Sequence, residues 1–248
     1  MATWLSGRRE RPAPDSMTLA QHLGELRRRL IISLIALAAS AGVAAVFYPQ
    51  MLSFLQHPYC HANPHDCSFY VQGPLDPLSL RIKMAIFGGL FIASPILLWE
   101  LWRFITPGLN KNEKRYAIPF VIASMVLFAG GCTIAYVVFP HALEFLKSVG
   151  GPSLKQILSP NQYLQLILLM MVVFGLTFEF PVILVALQLV RVVTPSQLLH
   201  WWRWAIVGLT LVSAIFTPSS DPLSMLALDV PLIVFYFASI LIGKLLRR

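Results

Sequence analysis

Apolar residues in this chain come in long unbroken runs, and the polar residues are gathered into the stretches between them. A helix that is apolar all round lies in a core or spans a membrane. Six runs stand out, at approximately 30–47, 82–105, 117–139, 163–190, 204–216 and 223–242. Runs of about 20 residues are long enough to cross a hydrocarbon core of roughly 30 Å. The fifth and sixth helices are expected to be short. The fifth makes only about 20 Å of helix, so it thins the bilayer, recruits its Trp-rich flank or stops short of one surface. The fourth run is the most informative, because its only acidic or basic side chain is Glu179. A charge near mid-depth costs roughly 3 kcal/mol or more. Pro181, two residues later, removes the N–H that the Thr177 carbonyl would accept. Thr177, Glu179 and Pro181 therefore make a polar notch inside a membrane, read either as a functional site or as a hydrogen bond used for helix packing.

Composition agrees with six spans: 57% of the residues are hydrophobic and 12% charged, far from a soluble domain. Fifteen of the 19 Lys and Arg residues fall in the N-terminal segment, the link after the second span, the link after the fourth and the C-terminus. Arg81, Lys83, Lys147 and Lys155 lie on the other side. The positive-inside rule places both termini in the cytoplasm. The net charge of +8 is thus a topology and lipid-surface signal, and no nucleic-acid partner is expected.

Residues 1–16 read as a disordered cytoplasmic tail, with no cleavable signal peptide. Thr18 and Gln21 make a capping box for a short helix that carries His22, Glu25 and Arg29 to the membrane surface. There, Arg28 or Arg29 would be the ordinary partner of Glu25. The first outer segment, 48–80, holds five prolines that forbid long regular helix. His57, Cys60, His61, His65, Asp66 and Cys67 resemble a ligand set, but Pro58 and Pro64 break the i, i+4 alignment a helical metal site needs. A Cys60–Cys67 disulfide suits an oxidising exterior better, and Cys132 reads as an inert core thiol. No metal or other cofactor is expected.

Further along, Asp76 with Pro77 reads as an N-cap, Gly88 and Gly89 allow close helix approach, and Glu100 lies within reach of Arg103. Glu113 is one acid among Lys111, Lys114 and Arg115, and is equally a solvated surface acid. Segments 140–146 and 154–158 read as short pieces on the outer surface. Asp221 with Pro222 either caps the sixth helix or does more, and Asp229 is a second acid at membrane depth.

Several segments together resemble TatC, the polytopic subunit of the twin-arginine (Tat) protein translocase. They are His22, Leu23, Gly24, Glu25, Leu26, Arg27; Trp102 to Leu109 followed by Glu113, Lys114, Arg115; Phe139, Pro140; Phe178, Glu179, Phe180, Pro181; and Thr217, Pro218, Ser219 with Asp221. The resemblance implies an all-α integral membrane fold, a single domain over 1–248, its six helices forming a cupped bundle. It implies a receptor that binds the twin-arginine signal peptides of exported folded proteins at the cytoplasmic face of the bacterial inner membrane. It further implies an oligomeric complex with TatA and TatB, driven by the proton-motive force. Glu25 and Glu113 match the acids that recognise the Arg-Arg motif. Arg27 belongs to the same surface, while Phe104 and Pro58 match structural positions. Glu179 matches an acid that meets a partner helix or the inserted signal peptide, and Asp221 an outer-hairpin residue that matters for transport. Met225 and Phe237 depart from the family, which commonly has Gln and Glu there. Asp229 lies two turns before Phe237 and takes the missing acid's place as a hypothesis, and Glu100 stands for a commoner Gln, adding a third acid to the receptor surface.

The chemistry agrees: two guanidinium groups are best held by planar carboxylates, and Lys cannot make the same bidentate pairs. A rival reading is a proton-coupled secondary transporter using Glu179 and Asp229, although no repeated halves are visible. No His-Glu-x-x-His or Gly-x-Ser-x-Gly motif occurs, so an enzyme is not expected.

Overall fold

A computed structural model describes residues 19–62, 69–71, 73–105, 117–149, 159–217 and 221–246. The tail with Thr18, the link holding Glu113, the loop holding His65, Asp66 and Cys67, the 154–158 segment and residues 218–220 lie outside the described residues, as do the side chains of His22 and His61. The described elements are helices in the order α1 (Leu19–Val46), α2 (Tyr48–Ala62), α3 (Asp76–Ile105), α4 (Ala117–Val149), α5 (Pro160–Thr177), α6 (Phe180–Leu189), α7 (Pro195–His200), α8 (Trp202–Phe216) and α9 (Pro222–Leu246). Among the described residues, five stretches are long and apolar enough to cross a membrane: those of α1, α3, α4, the joined α5–α6 and α9. Helix α8 is the shorter apolar one. The last helix is longer than expected, at 25 residues.

Small residues set the two main helix contacts. A Cβ on Gly89 of α3 would lie 2.7 Å from the Ala41 backbone of α1. A Cβ on Gly131 of α4 would lie 2.6 Å from the Phe174 carbonyl oxygen of α5. Helix α1 therefore rides directly on α3, and α5 on α4, with backbones in contact in the manner of membrane helices. The core is the aromatic and aliphatic cluster around Tyr163, Phe139, Phe174 and Phe178, with Met84, Leu164, Leu228 and Leu232.

Two proline rules give way to packing. The first outer segment does contain regular helix, the 15 residues of α2, with Pro58 inside it. Pro58 has no N–H for the Phe54 carbonyl, which instead accepts the Tyr136 hydroxyl of α4 at 2.9 Å. The Tyr163 hydroxyl donates to the neighbouring Leu55 carbonyl at 2.8 Å, so two tyrosines fasten α2 over α4 and α5. Similarly, α4 does not stop at Phe139 but continues through Pro140 to Val149. Phe139, Ala142 and Leu143 are all buried, and Phe139 meets the Tyr163 ring edge-on at 5.4 Å, which holds the helix together across the proline. Pro95 shows the same compensation locally, since the Ser94 hydroxyl donates to the Phe91 carbonyl that Pro95 leaves open.

Asp76 also differs from its expected capping role. Its carboxylate accepts the Gly73 N–H at 2.9 Å and the Asn161 side-chain amide at 3.2 Å, while the Ser79 N–H goes to the Leu75 carbonyl. It thus ties the start of α3 to the start of α5. Helix α6 ends in a Schellman turn with Arg191 in the left-handed region (φ 62°), and the Val192 N–H donates to the Leu187 carbonyl.

Candidate functional site

Contacts define two ends of the bundle. At the near end, Arg29 of α1 meets Glu100 of α3, Trp102 of α3 stacks on Phe120 of α4, and Gln188 of α6 bonds to Ser239 of α9. At the far end lie α2, the start of α3 and the α8–α9 connection.

The near end holds the first group of candidate residues. Glu25 pairs with Arg29 one turn on, the ordinary partner the sequence offers, and Arg29 also donates from Nη1 to Glu100 Oε2 at 3.2 Å. Glu100 is therefore engaged by α1, across 71 residues of sequence, and not by Arg103 three residues away. Both are ion pairs between described residues. Side-chain exposure is 12% for Arg29, 10% for Glu100 and 23% for Glu25, so the group sits in a sheltered pocket with Glu25 its most open member. Arg27 is exposed on α1 and Phe104 is half-buried one turn beyond Glu100. Glu113 lies outside the described residues.

The second group is the break between α5 and α6. The Glu179 N–H bonds to Leu176, three residues back, and Thr177 turns its hydroxyl onto the Val173 carbonyl at 2.6 Å. Pro181 starts the next helical turn without an N–H of its own. The break therefore follows from the three residues the sequence singles out. Glu179 is buried, with Ser124 of α4 within side-chain hydrogen-bonding reach. Ser124 in turn accepts the Trp102 indole N–H at 2.7 Å. Glu179 Oε1 has no partner among the described residues. Apolar clefts flank the break on both sides. One of about 440 Å³ is lined by Phe120, Pro181, Val185, Phe235 and Ile242. The other, about 410 Å³, is lined by Thr177, Phe180, Ile183, Leu209 and Phe216. Glu179 itself lines neither cleft, so a helix laid in either one would meet apolar surface beside a buried acid.

The remaining candidates stand apart from both groups. Asp221 is buried in the far-end connection, where its Oδ2 accepts the Ser224 N–H at 2.7 Å and caps α9 ahead of Pro222. Asp229 accepts the Thr210 hydroxyl at 3.0 Å, joining α9 to α8. Cys60, on α2, is disulfide-bonded; Cys67 lies outside the described residues, and Cys132 is a free, buried thiol. Among the described residues no three His, Cys, Asp or Glu side chains gather as a metal site.

Sequence reasoning missed Arg29 as the bridge to Glu100, and Ser124 with Trp102 as the polar neighbours of Glu179. The Glu25 and Arg29 spacing was the one available signal. Ser124 and Trp102 carry none, because a Ser and a Trp in apolar helices are ordinary.

The chain matches the family model "Sec-independent protein translocase protein (TatC)" over residues 21–231. It is 38% identical to the Sec-independent protein translocase protein TatC of Frankia casuarinae, over 97% of this chain and 70% of that one. It is also 38% identical to the corresponding protein of Aquifex aeolicus, over 94% and 97%. A crystal structure of a twin arginine translocase receptor, TatC, superposes with a TM-score of 0.75 at 37% identity, covering 92% of this chain and all of the other.

Proposed function

Because the chain belongs to the TatC family of multi-pass Sec-independent translocase proteins, we propose that it is the signal-peptide receptor of a twin-arginine translocase. In this reading the near end faces the cytoplasm, with both termini on that side of a bacterial inner membrane. The Arg-Arg motif of an export signal peptide is held there by Glu25 and Glu113, with Arg27 and Phe104 completing the surface. The apolar part of the signal peptide, or a membrane helix of a TatA- or TatB-type partner, lies against the α5–α6 break and is fixed in register by Glu179. The whole acts in an oligomeric complex powered by the proton-motive force, and the chain itself performs no catalysis.

One observation carries the reading: on a near-end surface, two carboxylates from different helices already hold a guanidinium in a sheltered pocket. The planar fork of an arginine is the group that such acids select over lysine. The proton-coupled transporter reading has less support, since Asp229 is engaged by Thr210 and the clefts beside Glu179 are apolar.

The test is equilibrium binding of an Arg-Arg signal peptide to the chain in lipid nanodiscs, against the same peptide with Lys-Lys. Arg-Arg should bind at least tenfold tighter, about 1.4 kcal/mol. Glu25→Ala and Glu113→Ala should each weaken binding, and the double variant by less than the sum, as expected for residues serving one ligand. Equal affinity for the two peptides, or full binding by the double variant, would remove the receptor assignment.

A further inference from the structure

Arg29 is the least settled member of the near-end group. Its Nη2 reaches Glu25 and its Nη1 reaches Glu100, one contact to each acid. A guanidinium and a carboxylate can instead make two parallel hydrogen bonds, the stronger arrangement. Spreading across two acids also leaves Arg29 Nε buried and without a partner among the described residues, an unfavourable position for a donor. Arg29 would satisfy that donor by settling on one acid alone. Of the two, Glu100 is the more enclosed and Glu25 the more open. Within this contact group two carboxylates face one guanidinium.

We infer that Arg29 is a built-in stand-in for the ligand arginine: it occupies Glu25 while the receptor is empty and withdraws onto Glu100 when a guanidinium of the signal peptide takes Glu25. The inference rests on the receptor reading above and names how that site sets its selectivity. Displacing Arg29 requires a group that forms a better pair with Glu25 than Arg29 does. An arriving arginine can engage both oxygens of Glu25, whereas a lysine ammonium engages as a point charge. Arg29 thus raises a threshold that arginine passes and lysine does not. Glu100 serves as the place Arg29 withdraws to, which makes it a positioning residue for recognition.

The experiment measures Arg-Arg and Lys-Lys peptide affinity for the full chain in nanodiscs, with Arg29→Gln, Glu100→Gln and the double variant beside the wild type. Arg29→Gln should tighten both peptides and tighten Lys-Lys more, lowering the Arg-Arg to Lys-Lys preference about tenfold. Glu100→Gln should weaken Arg-Arg binding several-fold, because Arg29 then stays on Glu25, and adding Arg29→Gln should restore it. A residue that merely holds α1 on α3 would weaken both peptides in parallel and would show no rescue. Where Arg29→Gln fails to elute as the native species, Arg29→Lys keeps the charge but holds one acid at a time, and the preference should still fall. A preference left unchanged by both Arg29 variants overturns the inference. Absence of any Arg-Arg preference in the wild type overturns the receptor reading itself.

Discussion

The pair Gly130 and Gly131 offers a test of the packing that holds the Glu179 break in place. Both are in α4 and adjacent, yet a Cβ on Gly130 would meet nothing within 4 Å, while one on Gly131 would stand 2.6 Å from the Phe174 carbonyl oxygen and 2.9 Å from its carbon. Those are backbone atoms and cannot rotate away. Ordinary van der Waals contact begins near 3.4 Å, so Gly131→Ala forces α5 back by roughly 0.8 Å, an overpacking cost of about 1–3 kcal/mol. Replacing a helical glycine by alanine also gains up to about 1 kcal/mol of propensity. That gain is common to both positions, so it cancels in the comparison. Gly131→Ala should therefore be less stable than Gly130→Ala by about 1–3 kcal/mol. At about 2–4 °C per kcal/mol for a chain of this size, the thermal midpoint in detergent should lie roughly 2–12 °C lower. The displacement at Phe174 lies just over one helical turn before Glu179, so partner-helix crosslinking at the break should fall as well. Equal midpoints for the two variants, or a lower one for Gly130→Ala, would refute the backbone contact between α4 and α5.

Other consequences are as direct. Tyr136→Phe should cost about 1 kcal/mol by leaving the Phe54 carbonyl without its donor, and the cost should shrink when Pro58→Ala restores a backbone N–H there; equal costs in both backgrounds would exclude the compensation. Glu179→Ala should leave Arg-Arg peptide binding intact yet reduce copurification of TatA- or TatB-type helices, with Glu179→Gln retaining more because it still offers an oxygen; unchanged copurification would leave Glu179 a packing residue. Thr210→Val should loosen α8 from α9 by about 0.6 kcal/mol, the mean for such bonds in membranes, read as faster hydrogen exchange in α8. Gly243→Ala should push the Gln188 side chain off its bond to the Ser239 carbonyl, since the new Cβ would fall 1.8 Å from Gln188 Oε1 of α6; an unchanged thermal midpoint would show that this bond contributes nothing to holding α6 on α9.

The fold class and the number of apolar passes were legible because span length and the absence of charge are properties of contiguous residues. The polar notch at Thr177, Glu179 and Pro181 was legible for the same reason, since the missing N–H and the acid lie within one turn, but 163–190 reads as one helix and its division into α5 and α6 was not expected. What sequence could not show were contacts made across the chain. Pro58 and Pro140 look like helix stops until Tyr136 and Tyr163 are brought against α2 and α4. Asp76 looks like a cap until Asn161 arrives from 85 residues away. At the site, Glu25 with Arg29 is a one-turn pair that spacing exposes, whereas Glu100 joins them only because Gly89 lets α1 lie directly on α3.

The central claim is that the near end reads a pair of arginines. Its most direct test is site-specific photocrosslinking in native membranes, with probes at and around positions 25 and 113 and a peptide bearing Arg-Arg ahead of an apolar stretch. Crosslinks should form at both positions with Arg-Arg and disappear when the peptide carries Lys-Lys. Labelling that is equal for the two peptides, or absent from both positions, would contradict that claim.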